Sequence, residues 1–185
     1  MKVSDALAMA TDRTGDRTEA EVLLGHLLDQ DRVGVYLRGQ QLLDSLQIRR
    51  LGSMVKQRVA GFPLQYVTGV QSFRGLDVEV GPGVLVPRPE TEQVVESALE
   101  LIAEIEAPII FDVCTGSGAM ALSLVAERPD AVVFASDISA DALSFAYRNG
   151  AGSKVDFRCG DLFDAFSTDL LNRVDLVISN PPYLS

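Results

Sequence analysis

Asn180-Pro181-Pro182-Tyr183 is the tetrapeptide of this chain best suited to gripping a planar NH2 group. It follows an apolar run, Val174 to Ile178, that reads as a buried strand, so the Pro-Pro pair would fix backbone carbonyls just past a strand end. The Asn180 side-chain oxygen and a proline carbonyl would accept the two hydrogens, and the Tyr183 ring would pack on the face of the group. A Pro-rich turn closing a strand would carry the same residues, so the tetrapeptide needs a second motif to give it chemistry.

That motif is Asp112-Val113-Cys114-Thr115-Gly116-Ser117-Gly118, where an apolar strand turns into a helix. Small residues let backbone approach a ligand closely, and a helix N-terminus offers unpaired N–H groups. No Gly-Lys-Ser/Thr ends the loop, which excludes a Walker A phosphate cradle, and the GxGxxG dinucleotide fingerprint fails at its third glycine. Asp137 ends the next strand, where an acid can accept both ribose hydroxyls of a nucleoside ligand; capping the following helix is its alternative role, one that Ser139 could fill instead. After the third strand, Asp161 could meet an adenine amino group and Leu162 could pack on the ring, the alternative being a solvated loop acid. The positions 112–118, 137, 161–162 and 180–183 thus recur at the C-terminal ends of four successive strands, the edge at which open α/β sheets bind ligands.

The elements that must position them follow from periodicity. Ile109 to Val113, Ala131 to Ser136, Val155 to Arg158 and Val174 to Ser179 are the expected strands, with helices over Met120 to Ala126 and Ala140 to Asn149. Apolar runs without alternation require a parallel sheet covered on both faces, hence a doubly wound α/β unit. Upstream, Val94, Val95, Ala98, Leu99 and Ile102 mark one face of a helix opened by Glu90 or Thr91. Phe73, Leu76, Val78 and Val80, then Gly81-Pro82-Gly83, then Val84 to Val86 predict a hairpin turning at Gly-Pro-Gly. Residues 1 to about 68 carry helical stripes: Val3, Ala6, Leu7 and Ala10 after an N-cap at Ser4 or Asp5; Ala20, Leu23, Leu24, Leu27 and Leu28; a short element from Val33 to Leu37; and Leu43 to Val59, stopping near Gly61 and Pro63. The boundaries are a helical module at 1–69, a hairpin linker at 70–90 and the α/β unit at 91–185.

At 185 residues, 47% hydrophobic and 23% charged, the chain can bury a core. A net charge of −10, with no basic run longer than Arg49-Arg50, argues against direct nucleic-acid binding and for a basic protein partner. Cys114 and Cys159 form no CxxC pair and His26 is the single histidine, so no metal site is expected and the thiols are expected reduced, in the cytoplasm. No window approaches the apolar length of a membrane span.

The chain resembles the protein-(glutamine-N5) methyltransferases that modify bacterial peptide-chain release factors, the HemK/PrmC family. The resemblance runs through Arg58 to Gly69, Phe73, Val84-Leu85-Val86-Pro87-Arg88-Pro89-Glu90-Thr91-Glu92, Thr115 to Ala119, Glu127 to Asp130, Asp137 and Asn180 to Tyr183. It implies a Rossmann-like class-I methyltransferase sheet that uses S-adenosylmethionine and methylates the glutamine of the Gly-Gly-Gln loop in class-1 release factors. Cys114, Thr115, Gly116, Ser117, Gly118, Asp137, Asp161, Leu162 and Asn180 would contact the donor; Asn180, Pro181, Pro182 and Tyr183 would hold the substrate amide and serve catalysis. The helical module would recognise the partner. Cys114 departs from the family's usual glycine, and donor binding is expected to survive it if the local φ is negative. Only four of the seven strands of a complete class-I sheet are found before Ser185, so the chain is expected to be a fragment with little turnover and an exposed strand edge prone to self-association. The rival readings are a nucleic-acid amino-methyltransferase acting on adenine N6 or cytosine N4, and an inactive fragment that only binds the cofactor.

Overall fold

The computed structural model describes residues 1–181. The chain divides into two compact units, Met1–Gly69 and Val70–Ser185.

The first unit holds five helices: α1 (Val3–Thr14), α2 (Arg17–Leu28), α3 (Arg32–Leu37), α4 (Ser45–Val59) and α5 (Leu64–Thr68). Aspartates start three of them. Asp16 accepts from the Thr18 and Glu19 amides, Asp31 from the Gly34 amide, and Asp44 from the Gln47 amide while the Gln47 side-chain oxygen accepts in return from the Asp44 N–H. Val3, Ala6 and Ala10 of α1 pack with Ala20, Leu23 and Leu24 of α2, Val35 of α3, and Leu51 and Val55 of α4. Arg58 forks onto both carboxylate oxygens of Glu19 at 2.7 Å and ties α4 to α2. Helix α1 begins before the expected cap at Ser4 or Asp5, because Lys2 bridges antiparallel to Leu42 and the helix starts directly after that extended residue. His26 is exposed in the last turn of α2.

The second unit opens with a hairpin, β1 (Val70–Phe73) and β2 (Leu76–Glu79), in which Phe73 faces Leu76. The turn is therefore not at Gly-Pro-Gly: it is the two-residue loop Arg74-Gly75, both at positive φ (46° and 77°), whose twist matches the flanking strands. Val84 to Val86 form no strand; Val84 and Val86 are buried and the segment leads into α6 (Pro89–Leu101). Pro89 starts that helix at its first position, ahead of the expected Glu90 or Thr91, because proline gives up only an N–H that the first turn leaves unpaired anyway. Arg74 holds the turn down: its guanidinium donates to Glu127 at 2.6 and 2.7 Å, to Glu96 at 2.7 Å and to the Glu92 carbonyl at 3.1 Å.

The sheet follows: β3 (Ile109–Val113), α7 (Ala119–Glu127), β4 (Val132–Asp137), α8 (Ala140–Asn149), β5 (Asp156–Cys159), a 3-10 turn at Leu162–Ala165, α9 (Thr168–Leu171) and β6 (Leu176–Ser179). The four strands are parallel in the order β5-β4-β3-β6, with Phe111 level with Phe134 on one side and Val177 on the other. One face of the sheet is closed by Phe166 stacked on Phe111 at 4.1 Å, both edge-on to Phe134, and the Arg158 guanidinium lies 4.9 Å from the Phe134 ring centre. The chain winds outward through β4 and β5 and returns past β3 to β6. The direction of winding thus reverses beside β3, and a crevice opens at the carboxyl ends of β3 and β6.

Candidate active site

The loop after β3 is pinned to its neighbours. The Thr115 amide donates to the Ser136 carbonyl at 2.9 Å and the Gly116 amide to Asp137 Oδ2 at 2.8 Å. The other Asp137 oxygen accepts from the Ser139 amide at 2.9 Å, while the Ser139 hydroxyl caps α8 through the Ala142 amide. Asp137 is therefore not the cap of α8. A carboxylate offers about four lone-pair directions, so two remain for a ligand.

Gly116 and Gly118 stand at φ 58° and 82°, and a Cβ on Gly118 would lie 3.2 Å from the Phe157 ring. Glycine is thus favoured at Gly118 by backbone sign, and a Cβ there would also have to push the Phe157 ring back by a few tenths of an ångström. Cys114 also has positive φ, 64°, so the condition of a negative φ set for this departure from glycine is not met. The left-handed region costs an L-residue roughly 1–2 kcal/mol. Cys114→Gly is accordingly expected to raise the unfolding free energy by about 1 kcal/mol in urea titration, and Cys114→Ala to give no gain. Burial and the charge of Asp137, with smaller contributions from Asp112 and Asp161, push the Cys114 thiol pKa upward. Three carboxylates therefore act on one point of this rim, an electrostatic setting that favours a cation.

A small cavity of about 60 Å³ lies in the crevice, lined by Cys114, Thr115, Gly116, Ser117 and Asn180 together with Leu85, Pro87 and Thr91. The Asn180 amide donates from Nδ2 to Thr91 Oγ1 at 3.1 Å. The structure thus brings five of the predicted residues into one cavity. Gly118, Asp137, Asp161 and Leu162 do not line it. Leu162 is half exposed and at φ 47°, and its carbonyl accepts from the Ser136 hydroxyl at 3.2 Å. Asp161 is exposed beside it. Pro181 is exposed, and Pro182 and Tyr183 lie outside the described residues. A larger cavity, about 390 Å³, opens elsewhere in the unit between Leu76, Val78, Leu122 and Val125 and contains none of the predicted residues.

Sequence reading places Asp112 at the head of the 112–118 motif but gives it no contact of its own. It is fully buried at the end of β3; Oδ2 accepts from the Thr115 hydroxyl at 2.6 Å and the Ala121 amide at 3.2 Å, while Oδ1 has no partner. Burial raises its pKa to about 6 in spite of those two bonds, and the charge of Asp137 adds to the rise. The available signal is a single charge inside the apolar run Ile109-Ile110-Phe111-Asp112-Val113. Among the described residues no group of three or more His, Cys, Asp or Glu side chains is placed to hold a metal ion, and no helix is long and apolar enough to cross a membrane.

Residues 93–185 match the family described as methyltransferase small domain, and residues 2–69 match the PrmC N-terminal domain. Three curated relatives carry the name release factor glutamine methyltransferase. The protein of Streptomyces coelicolor is 44% identical over 186 residues, covering 96% of this chain and 64% of its own length. That of Xylella fastidiosa strain 9a5c is 41% identical over 182 residues (97% and 65%), and that of Burkholderia pseudomallei 39% over 178 residues (92% and 62%). The chain spans just under two thirds of the length of these relatives.

Proposed function

We propose a function from the premise that the chain belongs to the methyltransferase small domain family and carries a PrmC N-terminal domain: it binds S-adenosylmethionine and directs its methyl group to the side-chain amide nitrogen of the glutamine in the Gly-Gly-Gln loop of class-1 peptide-chain release factors. The release factor is the substrate named in the relatives. The observation that carries the reading is the shared cavity: the Cys114–Ser117 bend and the Asn180 amide line the same crevice.

The residues present fit the donor. Its ammonium group has a candidate partner in the unsatisfied Asp112 Oδ1, its ribose hydroxyls in the remaining lone pairs of Asp137, and its methionine backbone in the glycine bend, where nothing nearer than the Val84 methyl at 3.7 Å stands off a Cβ on Gly116. Asp161 and Leu162 extend the rim toward the adenine position. The bound donor supplies an activated methyl on a sulfonium, a cation suited to a rim on which three carboxylates act.

A primary amide nitrogen is a poor nucleophile because its lone pair is delocalised into the carbonyl. Asn180 Oδ1 and the Pro181 carbonyl, accepting its two hydrogens, would favour a pyramidal nitrogen and stabilise the positive charge that develops. Holding that nitrogen in line with the methyl is the main contribution of the protein, and the proton leaves afterwards to water. Tyr183 and Pro182 complete the grip in this reading.

The test is transfer of labelled methyl in the presence of a release factor, its Gln-to-Ala loop variant, and DNA. Label is expected on the release factor and on neither control. Label on DNA, or equal label on the loop variant, refutes the proposal.

A further inference from the structure

We infer that Thr91 is a positioning residue that sets the plane of the Asn180 amide, and that this is the role of the Pro87-Arg88-Pro89-Glu90-Thr91-Glu92 segment beyond marking a family. The inference rests on the reading of Asn180 as the group that receives the substrate amide.

The buried stripe of α6 is Thr91, Val95 and Ala98, continued by Ile102. Thr91 is its one polar member, at 8% exposure. Valine has the same shape and would fill the position without bringing a hydroxyl out of water, a cost met only when the hydroxyl is bonded. That bond is the one received from Asn180 Nδ2 at 3.1 Å, across 89 residues of sequence. It turns Nδ2 toward α6 and leaves Oδ1, the acceptor that the proposed chemistry needs, on the other side of the amide.

The rest of the segment makes Thr91 a fixed point. Pro89 locks the first turn of α6, and the Thr91 amide donates to the Arg88 carbonyl at 3.0 Å. One residue on, Glu92 receives the Arg74 amide on its carboxylate at 3.2 Å and the Arg74 guanidinium on its carbonyl, which fastens the turn to the hairpin. Pro87 and Thr91 line the same cavity as Gly116. A side chain anchored in this way can hold a loop residue at the end of β6 within the narrow angular range that amide capture requires.

The experiment compares the full chain with Thr91→Ser and Thr91→Val. The Asn180 side-chain NH2 resonance, identified by its loss in Asn180→Asp, is followed by hydrogen exchange. Exchange is expected to be slow in the parent and in Thr91→Ser and about tenfold faster in Thr91→Val, the loss of one net hydrogen bond. S-adenosylhomocysteine affinity is measured for all three, so that the peptide titrations are made with that ligand saturating. With that ligand present, affinity for a Gly-Gly-Gln peptide is expected to fall about tenfold in Thr91→Val and to return in Thr91→Ser. Exchange indifferent to the hydroxyl overturns the positioning role, whatever the peptide does. Exchange that follows the hydroxyl while no variant binds the peptide upholds the positioning role and removes the glutamine reading instead.

Discussion

Asp137→Ala is expected to weaken S-adenosylmethionine binding about 10- to 100-fold, roughly 1–3 kcal/mol, measured by calorimetry. The proposed loss is that of charge-assisted bonds to the ribose hydroxyls. The same carboxylate also receives the Gly116 amide at 2.8 Å and the Ser139 amide at 2.9 Å, so its removal loosens the loop after β3 as well. Ser139→Ala is the control for loosening of the neighbouring helix. It deletes the α8 cap while leaving the Asp137 carboxylate in place, and is expected to cost about 1 kcal/mol of stability with donor affinity unchanged. Unchanged affinity in Asp137→Ala would show that the ribose is held elsewhere.

The legible parts of this protein are those set by local periodicity. The run Ile109 to Val113 and the helices and strands that follow it have one-face or two-face patterns that allow little else, whereas the order β5-β4-β3-β6, with β6 returning beside β3, is not set by periodicity. The hairpin turn is not legible in the same way, because Gly81-Pro82-Gly83 carries stronger turn composition than Arg74-Gly75. What places the turn is a non-local anchor, the Arg74 guanidinium on Glu96 and Glu127, which no window of sequence contains. Ala131, Val155 and Val174 fall just outside the observed strands β4, β5 and β6, as strand ends do when a loop hydrogen bond takes over from the ladder, and β6 is not the buried strand expected, since Val177 is exposed and only Ile178 is buried. The site splits the same way. The glycine bend and Asn180 are visible as residue types at strand ends, whereas the importance of Asp112 and Thr91 depends on burial and on partners distant in sequence. The left-handed backbone of Cys114 cannot be read from a residue type that rarely adopts it.

Asp112→Asn is expected to move stability and donor binding in opposite directions. The Asp112 carboxyl has a pKa of about 6 in the folded chain, raised from 3.8 chiefly by burial. Between those values the native state holds a proton that the unfolded state has released, so the contribution of this group to stability is greatest below about pH 4 and is lost as pH rises through 6. At pH 7 the buried charge costs on the order of 3 kcal/mol, about 1.4 kcal/mol for each unit of the rise. The carboxamide introduced by Asp112→Asn would keep an oxygen for the Thr115 hydroxyl and Ala121 amide and would carry no charge. Urea titrations should therefore show a gain at pH 7 to 8 and a flatter profile between pH 4 and 6 than in the parent. Donor affinity should follow the other sign. A cation set against Oδ1 stabilises the ionised carboxylate, so parent affinity should rise about tenfold from pH 5 to 7, with a proton released on binding. The variant should bind at least about tenfold more weakly at pH 7, with no such slope. A variant that is more stable at neutral pH yet binds the donor as the parent does would make Asp112 a strained structural residue and leave the ammonium to be held by other groups. A variant with the parent's pH profile would remove the buried charge from the account altogether. Because a site carboxylate that destabilises the empty fold is compensated only when a cation arrives, the paired measurement separates a residue kept for binding from one kept for packing.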